Sequence, residues 1–330
     1  MNKRILLLSD GRNPHTIRWA RSLASKGYQI LVFSIHSFNS SSFGADENLQ
    51  FCDAGFHDEY SQDGNFKKLT YLSVLGMLKS KIREFKPDIL HAHYAPSYGL
   101  LGALTKFQPY FISVWGSDVY EFPRRSFLHR AVLKFNLARA ARIFSTSNAM
   151  AIETGKYTSK EVEIIPFGVD LKKFFPIPLA QSENFLIIGT VKSLEDKYGI
   201  HILLKAFTLV TQRLSEINLK LLIVGKGSRE TAYKELAKSL GIFELTEFTG
   251  FIPMDEVPIY QNKLDIAVFP SICEESFGVS VIEAAACAKP VIVTDRGGFP
   301  EVVNHGEIGL IVPHNDIQAL ADAIIKLITD

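Results

Sequence analysis

Cysteine is scarce. The 330 residues hold three, Cys52, Cys273 and Cys287, an odd number with no metal-ligand spacing. That excludes a disulfide scaffold and points to a reducing compartment. Long apolar runs are lacking too. The first one, Ile5-Leu6-Leu7-Leu8, stops at Ser9-Asp10. It is too short for a signal-peptide core and reads as a buried strand. The apolar rise over residues 69–78 cannot cross a bilayer. These features place the chain in the cytoplasm, at most peripheral to the inner face of the cell membrane. Charge of one sign is not in excess, with 36 Lys/Arg against 35 Asp/Glu, so a uniformly basic nucleic-acid binder is disfavoured. No G-x-G-x-x-G or Walker A motif occurs, which argues against a nicotinamide or ATP enzyme. No Asp-x-Asp pair is present to bridge a metal to a diphosphate.

What is present alternates strand and helix. Apolar runs at residues 5–8, 28–34, 88–92, 111–115, 142–145 and 162–165 read as strands. Helical patterns fall at 14–27, 66–85, 97–106, 126–140 and 148–155, the first opened by Asn13-Pro14 and closed by Gly27. A stretch with Pro166, Gly168, Pro176 and Pro178 follows, and the alternation restarts. Strands are expected at 185–191, 219–224, 246–248, 266–269, 291–294 and 310–312, with helices at 200–213, 229–240, 278–287 and 318–327. Such alternation implies an α/β protein of two doubly wound, Rossmann-like domains facing a cleft. The boundaries read are 1–168, a linker at 169–182, and 183–330. Charge divides likewise: residues 1–170 hold 21 Lys/Arg and 15 Asp/Glu, the remainder 15 and 20.

Ligands of doubly wound folds sit at the carboxyl ends of strands, so the residues there carry the argument. After the strand at 266–269, Glu275 stands in a loop, a helix opens near Gly278, and Glu283 lies inside that helix. Free N–H groups at Gly278 and Val279 suit a phosphate, and carboxylates accept from sugar hydroxyls. Spacing alone equally fits an acid near a helix start and a solvated Glu. After the strand at 185–191, Lys192 and Lys197 can clamp a pyrophosphate or simply be solvated. Val224-Gly225-Lys226-Gly227 is a weak glycine turn. His91 and His93 alternate onto one face of a strand. Structural or substrate contacts suit them better than metal, since no third ligand accompanies them. Residues 124–142 carry six basic residues, no acid and several apolar ones. This is either a packed helix with a solvated basic face or a surface for anionic lipid.

Taken together the motifs resemble retaining glycosyltransferase family 4. The resemblance rests on Glu275 and Glu283 in Glu-Ser-Phe-Gly-Val-Ser-Val-Ile-Glu-Ala-Ala-Ala. It extends to Ile165-Pro166-Phe167-Gly168-Val169-Asp170, the Lys192/Lys197 pair, Phe248-Thr249-Gly250-Phe251, Lys289-Pro290-Val291 and Gly297-Gly298-Phe299-Pro300-Glu301. It implies the GT-B fold and a nucleotide-diphosphate sugar bound mainly by the C-terminal domain. Glu283 would hold the donor ribose and Glu275 the transferred sugar. Lys192 and Lys197 would neutralise the diphosphate, aided by Phe277, Gly278 and Val279 at the helix start and by the Gly225 turn. Phe251 would lie against the base, and Asp10-Gly11 would approach the diphosphate. No metal or other cofactor is implied. The acceptor would be a glycan or lipid-linked glycan of surface polysaccharide or lipopolysaccharide, which strengthens the lipid-surface reading of 124–142.

Four departures stand out. Trp115 takes a position where the family often has a His beside the reacting sugar, leaving Asp118, His93 or His15 as candidates for that role. Lys192 replaces the usual Arg, and Tyr198 interrupts a Lys-Gly pair. Family members usually run on for several tens of residues, so the chain looks truncated at Asp330. Two other readings stay open: a catalytically silent nucleotide-sugar-binding or partner subunit, and a GT-B sugar-nucleotide epimerase.

Overall fold

The computed structural model describes residues 3–56, 73–178 and 185–330. The chain divides into two compact units between Ile165 and Pro166.

The first unit runs β1 (Arg4–Leu8), α1 (Pro14–Ala24), β2 (Gln29–His36), β3 (Leu49–Phe56), α2 (Leu75–Phe85) and β4 (Ile89–His93). It continues α3 (Tyr98–Thr105), β5 (Tyr110–Ser113), α4 (Ser117–Tyr120), α5 (Phe127–Arg139), β6 (Arg142–Ser145), α6 (Asn148–Gly155) and β7 (Val162–Ile164). The strands form one sheet ordered β3-β2-β1-β4-β5-β6-β7, and its pairings are parallel. Leu6, Leu8, Phe33, Leu90, Ile112 and Ile143 face one apolar layer, while Ile5, Leu7, Ile30 and Val32 face the other. Both faces are covered, which is why the strands read as near-continuous apolar runs. Asn13 caps α1 by accepting from the His15 N–H, and Pro14 opens the helix. The helix ends earlier than its pattern predicts, at Ala24. Gly27 instead takes a left-handed turn beyond the cap, at φ +86°. Of the helix expected at 66–85, residues 66–72 lie outside the described residues.

The second unit runs β8 (Leu186–Val191), α7 (Ile200–Arg213), β9 (Leu219–Val224), α8 (Glu230–Ser239), β10 (Thr246–Gly250), α9 (Val257–Lys263) and β11 (Ile266–Phe269). After it come α10 (Val279–Ala286), β12 (Val291–Thr294), α11 (Phe299–Val302), β13 (Gly309–Val312) and α12 (Ile317–Thr329). Its parallel sheet is ordered β10-β9-β8-β11-β12-β13. In both sheets the order reverses beside the unit's first strand, between β1 and β4 and between β8 and β11. That reversal opens a crevice at the carboxyl ends.

The segment read as a linker is not free over its described part. Phe174 is buried against Val257 and Cys287. Asn262 accepts from the Ile177 N–H at 2.8 Å and donates to the Phe175 carbonyl at 3.0 Å. Residues 166–178 therefore belong to the second unit; 179–182 lie outside the described residues.

Candidate functional site

The loops after β8, β9, β11 and β12 converge at the strand-order reversal of the second sheet. Glycines let them touch. A Cβ on Gly225, where φ is +136°, would sit 2.2 Å from the Lys192 carbonyl oxygen. One on Gly297 would sit 2.2 Å from the Glu275 carbonyl oxygen. That carbonyl also accepts from the Gly298 N–H at 2.7 Å. The Lys197 carbonyl accepts from Ile272 N–H at 2.9 Å, tying the β8 loop to the β11 loop.

This framework brings two of the expected site residues into contact. Lys192 Nζ lies 2.8 Å from Glu275 Oε1, and Ser271 Oγ lies 2.6 Å from the same oxygen. The ammonium stands over the Tyr198 ring, 4.4 Å from its centre, a cation–π contact. Burial works against the Lys192 charge, but the Glu275 carboxylate outweighs it and leaves the ammonium above its ordinary range. Next door, burial first and the Glu275 charge second push the Cys273 thiol up to about 11, so it is an inert side chain.

Gly278 caps α10 in the left-handed region at φ +104°, with Phe299 against it. The first turn, Val279 onward, directs its N–H groups out of the helix start, a ready anion site. Phe277 is buried with its ring edge-on to Phe167. Glu283 is buried one turn into α10. Phe251 leads out of β10 and is 74% exposed, a free-standing aromatic face. Ser271 is the participant that motif reading gave no role, its only sequence signal being that it follows a strand; Tyr198 and the Gly297-Gly298 pair stand in stretches compared with the family, without the contacts seen here.

In the first unit, Asp10 and Gly11 follow β1. The Asp10 carboxylate takes a two-pronged contact from Arg12, Nε at 3.0 Å and Nη2 at 2.8 Å. Burial alone would raise its pKa, but the Arg12 hydrogen bonds and charge bring it below the usual range. Gly11 donates its N–H to Ser34 Oγ at 3.2 Å, with the Phe38 ring where a Cβ would be. His93, at the end of β4, is fully buried, and its Nδ1 is 3.2 Å from Ser9 Oγ. Its ring lies 4.7 Å from that of Trp115 and 5.3 Å from that of Trp19. His91 is bonded through Nε2 to Ser113 Oγ at 2.8 Å. Both imidazoles are thus built into an aromatic cluster. Among the described residues, no group of three or more His, Cys, Asp or Glu could hold a metal ion.

Asp118 does not face solvent as a catalytic acid would. It is fully buried, and it accepts from the N–H groups of Gly116 (2.7 Å), Trp115 (3.0 Å) and Ala95 (3.1 Å). Its charge is used up in closing the turn that presents Trp115. Burial raises its pKa against those bonds.

Two family models tile this architecture. "Glycosyl transferase 4-like" matches residues 4–147, and "Glycosyl transferases group 1" matches residues 172–330. The chain belongs to the family-4 type of GT-B glycosyltransferases. A D-inositol 3-phosphate glycosyltransferase of Corynebacterium urealyticum is 34% identical over 54% of this chain, and the match spans 46% of that relative's length. Sucrose-phosphate synthase of Thermosynechococcus elongatus superposes with a TM-score of 0.83 at 20% identity, over 100% of this chain and 90% of that one. Anabaena Alr3699/HepE, in complex with UDP and glucose, gives 0.77 at 20% identity, over 100% and 90%. Both structures share the GT-B fold with this glycosyltransferase-family chain.

Proposed function

We propose that the protein is a retaining glycosyltransferase that moves a sugar from a nucleoside-diphosphate sugar to a glycan or lipid-linked glycan acceptor. The observation that carries this reading is the Lys192–Glu275 pair, 2.8 Å apart in the crevice between β8 and β11 and beside the open start of α10. A cation and a helix N-terminus together suit a diphosphate, and the adjoining carboxylate suits sugar hydroxyls. The UDP and glucose bound in the HepE complex are in keeping with such a donor.

In this reading Lys192, Lys197 and the N–H groups of Gly278 and Val279 take the diphosphate. They stabilise the charge that grows on the leaving group. Glu283 accepts from the ribose, Phe251 covers the base, and Glu275 accepts from the transferred sugar. Transfer takes place on the front face: the acceptor hydroxyl attacks on the leaving-group side, and the donor phosphate takes its proton. His93 and Trp115 belong to the acceptor side. The lipid-linked acceptor is met at a membrane surface, where the start of α5 sets exposed Phe127 and Leu128 beside Arg125 and Arg130. Among the described residues no helix is long and apolar enough to cross a membrane.

Thermal-shift screening against uridine and guanosine nucleotides and their sugars tests the donor. A ligand at 100 times its dissociation constant adds about 2.7 kcal/mol. A panel without any shift would sink the reading.

A further inference from the structure

Ser271 stands two residues past β11 and is 1% exposed, so its hydroxyl must find its partners inside the protein. Its Oγ is 2.6 Å from Glu275 Oε1. An ionised carboxylate only accepts, so the hydroxyl is the donor. Lys192 donates to the same oxygen at 2.8 Å. Behind Ser271, its carbonyl accepts from Thr294 Oγ1 at 2.6 Å, and Thr294 is the buried last residue of β12. Two donors therefore converge on one carboxylate oxygen from opposite loops, and one of them is anchored to the neighbouring strand. One carboxylate oxygen is held before any ligand arrives, and both donors act on Oε1.

We propose that Ser271 is a positioning residue for Glu275. With Thr294 behind it and Lys192 opposite, it turns Oε2 toward a hydroxyl of the transferred sugar. The inference rests on the sugar-contacting role given to Glu275 above. Orientation of this kind acts on the geometry of the reacting sugar and leaves the nucleotide half of the donor alone.

The test uses the full chain. Its donor is whichever of UDP-glucose, UDP-galactose, UDP-N-acetylglucosamine and GDP-mannose gives the largest thermal shift. Ser271→Ala should lower kcat about tenfold, as expected for loss of one hydrogen bond to a charged group. The donor KM should stay within about twofold, and nucleoside-diphosphate affinity should match the parent. In a Glu275→Gln background the same change should add less than about twofold, because its route to the chemistry is already cut. Thr294→Val, close in shape, should reproduce the pattern more weakly and serves if Ser271→Ala folds poorly. Parent-like kcat in both variants would overturn the inference. So would losses that multiply in the double variant, or nucleoside-diphosphate affinity that falls along with kcat, since a merely structural serine behaves that way. Failure of the underlying reading looks different: no donor in the panel shifts the protein, or Glu275→Gln turns over like the parent. Either result removes both.

Discussion

The ammonium of Lys192 and the carboxylate of Glu275 form a pair 2.8 Å apart in which both side chains are largely withdrawn from water. A buried carboxylate beside a diphosphate would repel it. Pairing with Lys192 lifts that repulsion while leaving the ammonium able to face a phosphate. Lys192→Ala should therefore weaken UDP or GDP by about 1.5–3 kcal/mol and leave the free nucleoside nearly unaffected. Titration calorimetry with nucleoside and nucleoside diphosphate checks this. Equal losses for the two would show that Lys192 only holds the loop.

Glu283→Gln and Glu275→Gln should part binding from chemistry. Loss of the ribose contact at Glu283 should weaken the nucleotide itself by about 1–3 kcal/mol. At Glu275 the change should depress turnover by tenfold or more, roughly the value of one charge-assisted contact, while nucleoside-diphosphate affinity holds. Parent-like nucleotide binding in Glu283→Gln would end the ribose assignment.

Gly297 is in the left-handed region at φ +55°, with the Glu275 carbonyl oxygen where a Cβ would go. Gly297→Ala should cost at least about 1 kcal/mol in backbone strain and push the Glu275 loop out of place. A lowered melting temperature and lost UDP or GDP affinity are expected. A variant that binds as the parent does would mean the loop adjusts freely.

Acid should loosen the first unit through its histidines. Burial holds His91 down to about 3, and burial together with His91 and His15 lowers His93 as well. Unfolding returns both to about 6.5. As the pH falls, the unfolded chain takes up protons first. The contribution of these rings is complete above about pH 6.5 and is lost progressively toward their folded values. Calorimetry from pH 7 to 5 should show a falling melting temperature, with a shallower fall in His91→Gln. Identical slopes would show that the fall comes from elsewhere.

Residues 124–142 give a membrane prediction that the structure narrows. Arg124 is bonded to Glu153 and Arg142 to Glu163, and Arg125, Arg130 and Lys134 are further exposed basic residues close in sequence to Phe127 and Leu128. Each contributes about 1 kcal/mol near an anionic surface, and the attraction fades as salt shortens the Debye length from about 10 Å at 0.1 M to 3 Å at 1 M. Co-sedimentation with phosphatidylserine vesicles at low salt is expected, lost in Arg125→Glu/Arg130→Glu/Lys134→Glu. Binding unchanged in that variant, or absent in the parent, counts against a membrane role.

Legibility tracks burial. A strand covered on both faces, such as β11, is readable to the residue, because apolar side chains fill every position in it. β3 escapes sequence reading: at the sheet edge its sequence Leu-Gln-Phe-Cys-Asp-Ala-Gly-Phe mixes polar residues and a glycine, and its side chains are mostly half-buried. α9 escapes it because it is only seven residues long and Glu256 gives it no side-chain cap. In the site, charges at strand ends are visible in sequence. Their partners across loops are not, since the Lys192–Glu275 pair and the Gly297–Glu275 contact depend on which loops the strand order makes neighbours. Asp118 shows the opposite limit: a carboxylate in a catalytic-looking position is consumed by backbone N–H groups that only folding supplies.

The tie between Asn262 and residues 175–177, with Phe174 pressed on Cys287, bears on where the chain can be cut. A fragment of the second unit begun at residue 183 would lose one wall of its own core and uncover Val257 and Cys287. One begun at Pro166 keeps that wall. The seam in the chain thus lies at the front of the proline-rich stretch, and a recombined protein that exchanges second units should inherit residues 166–178 with the second unit.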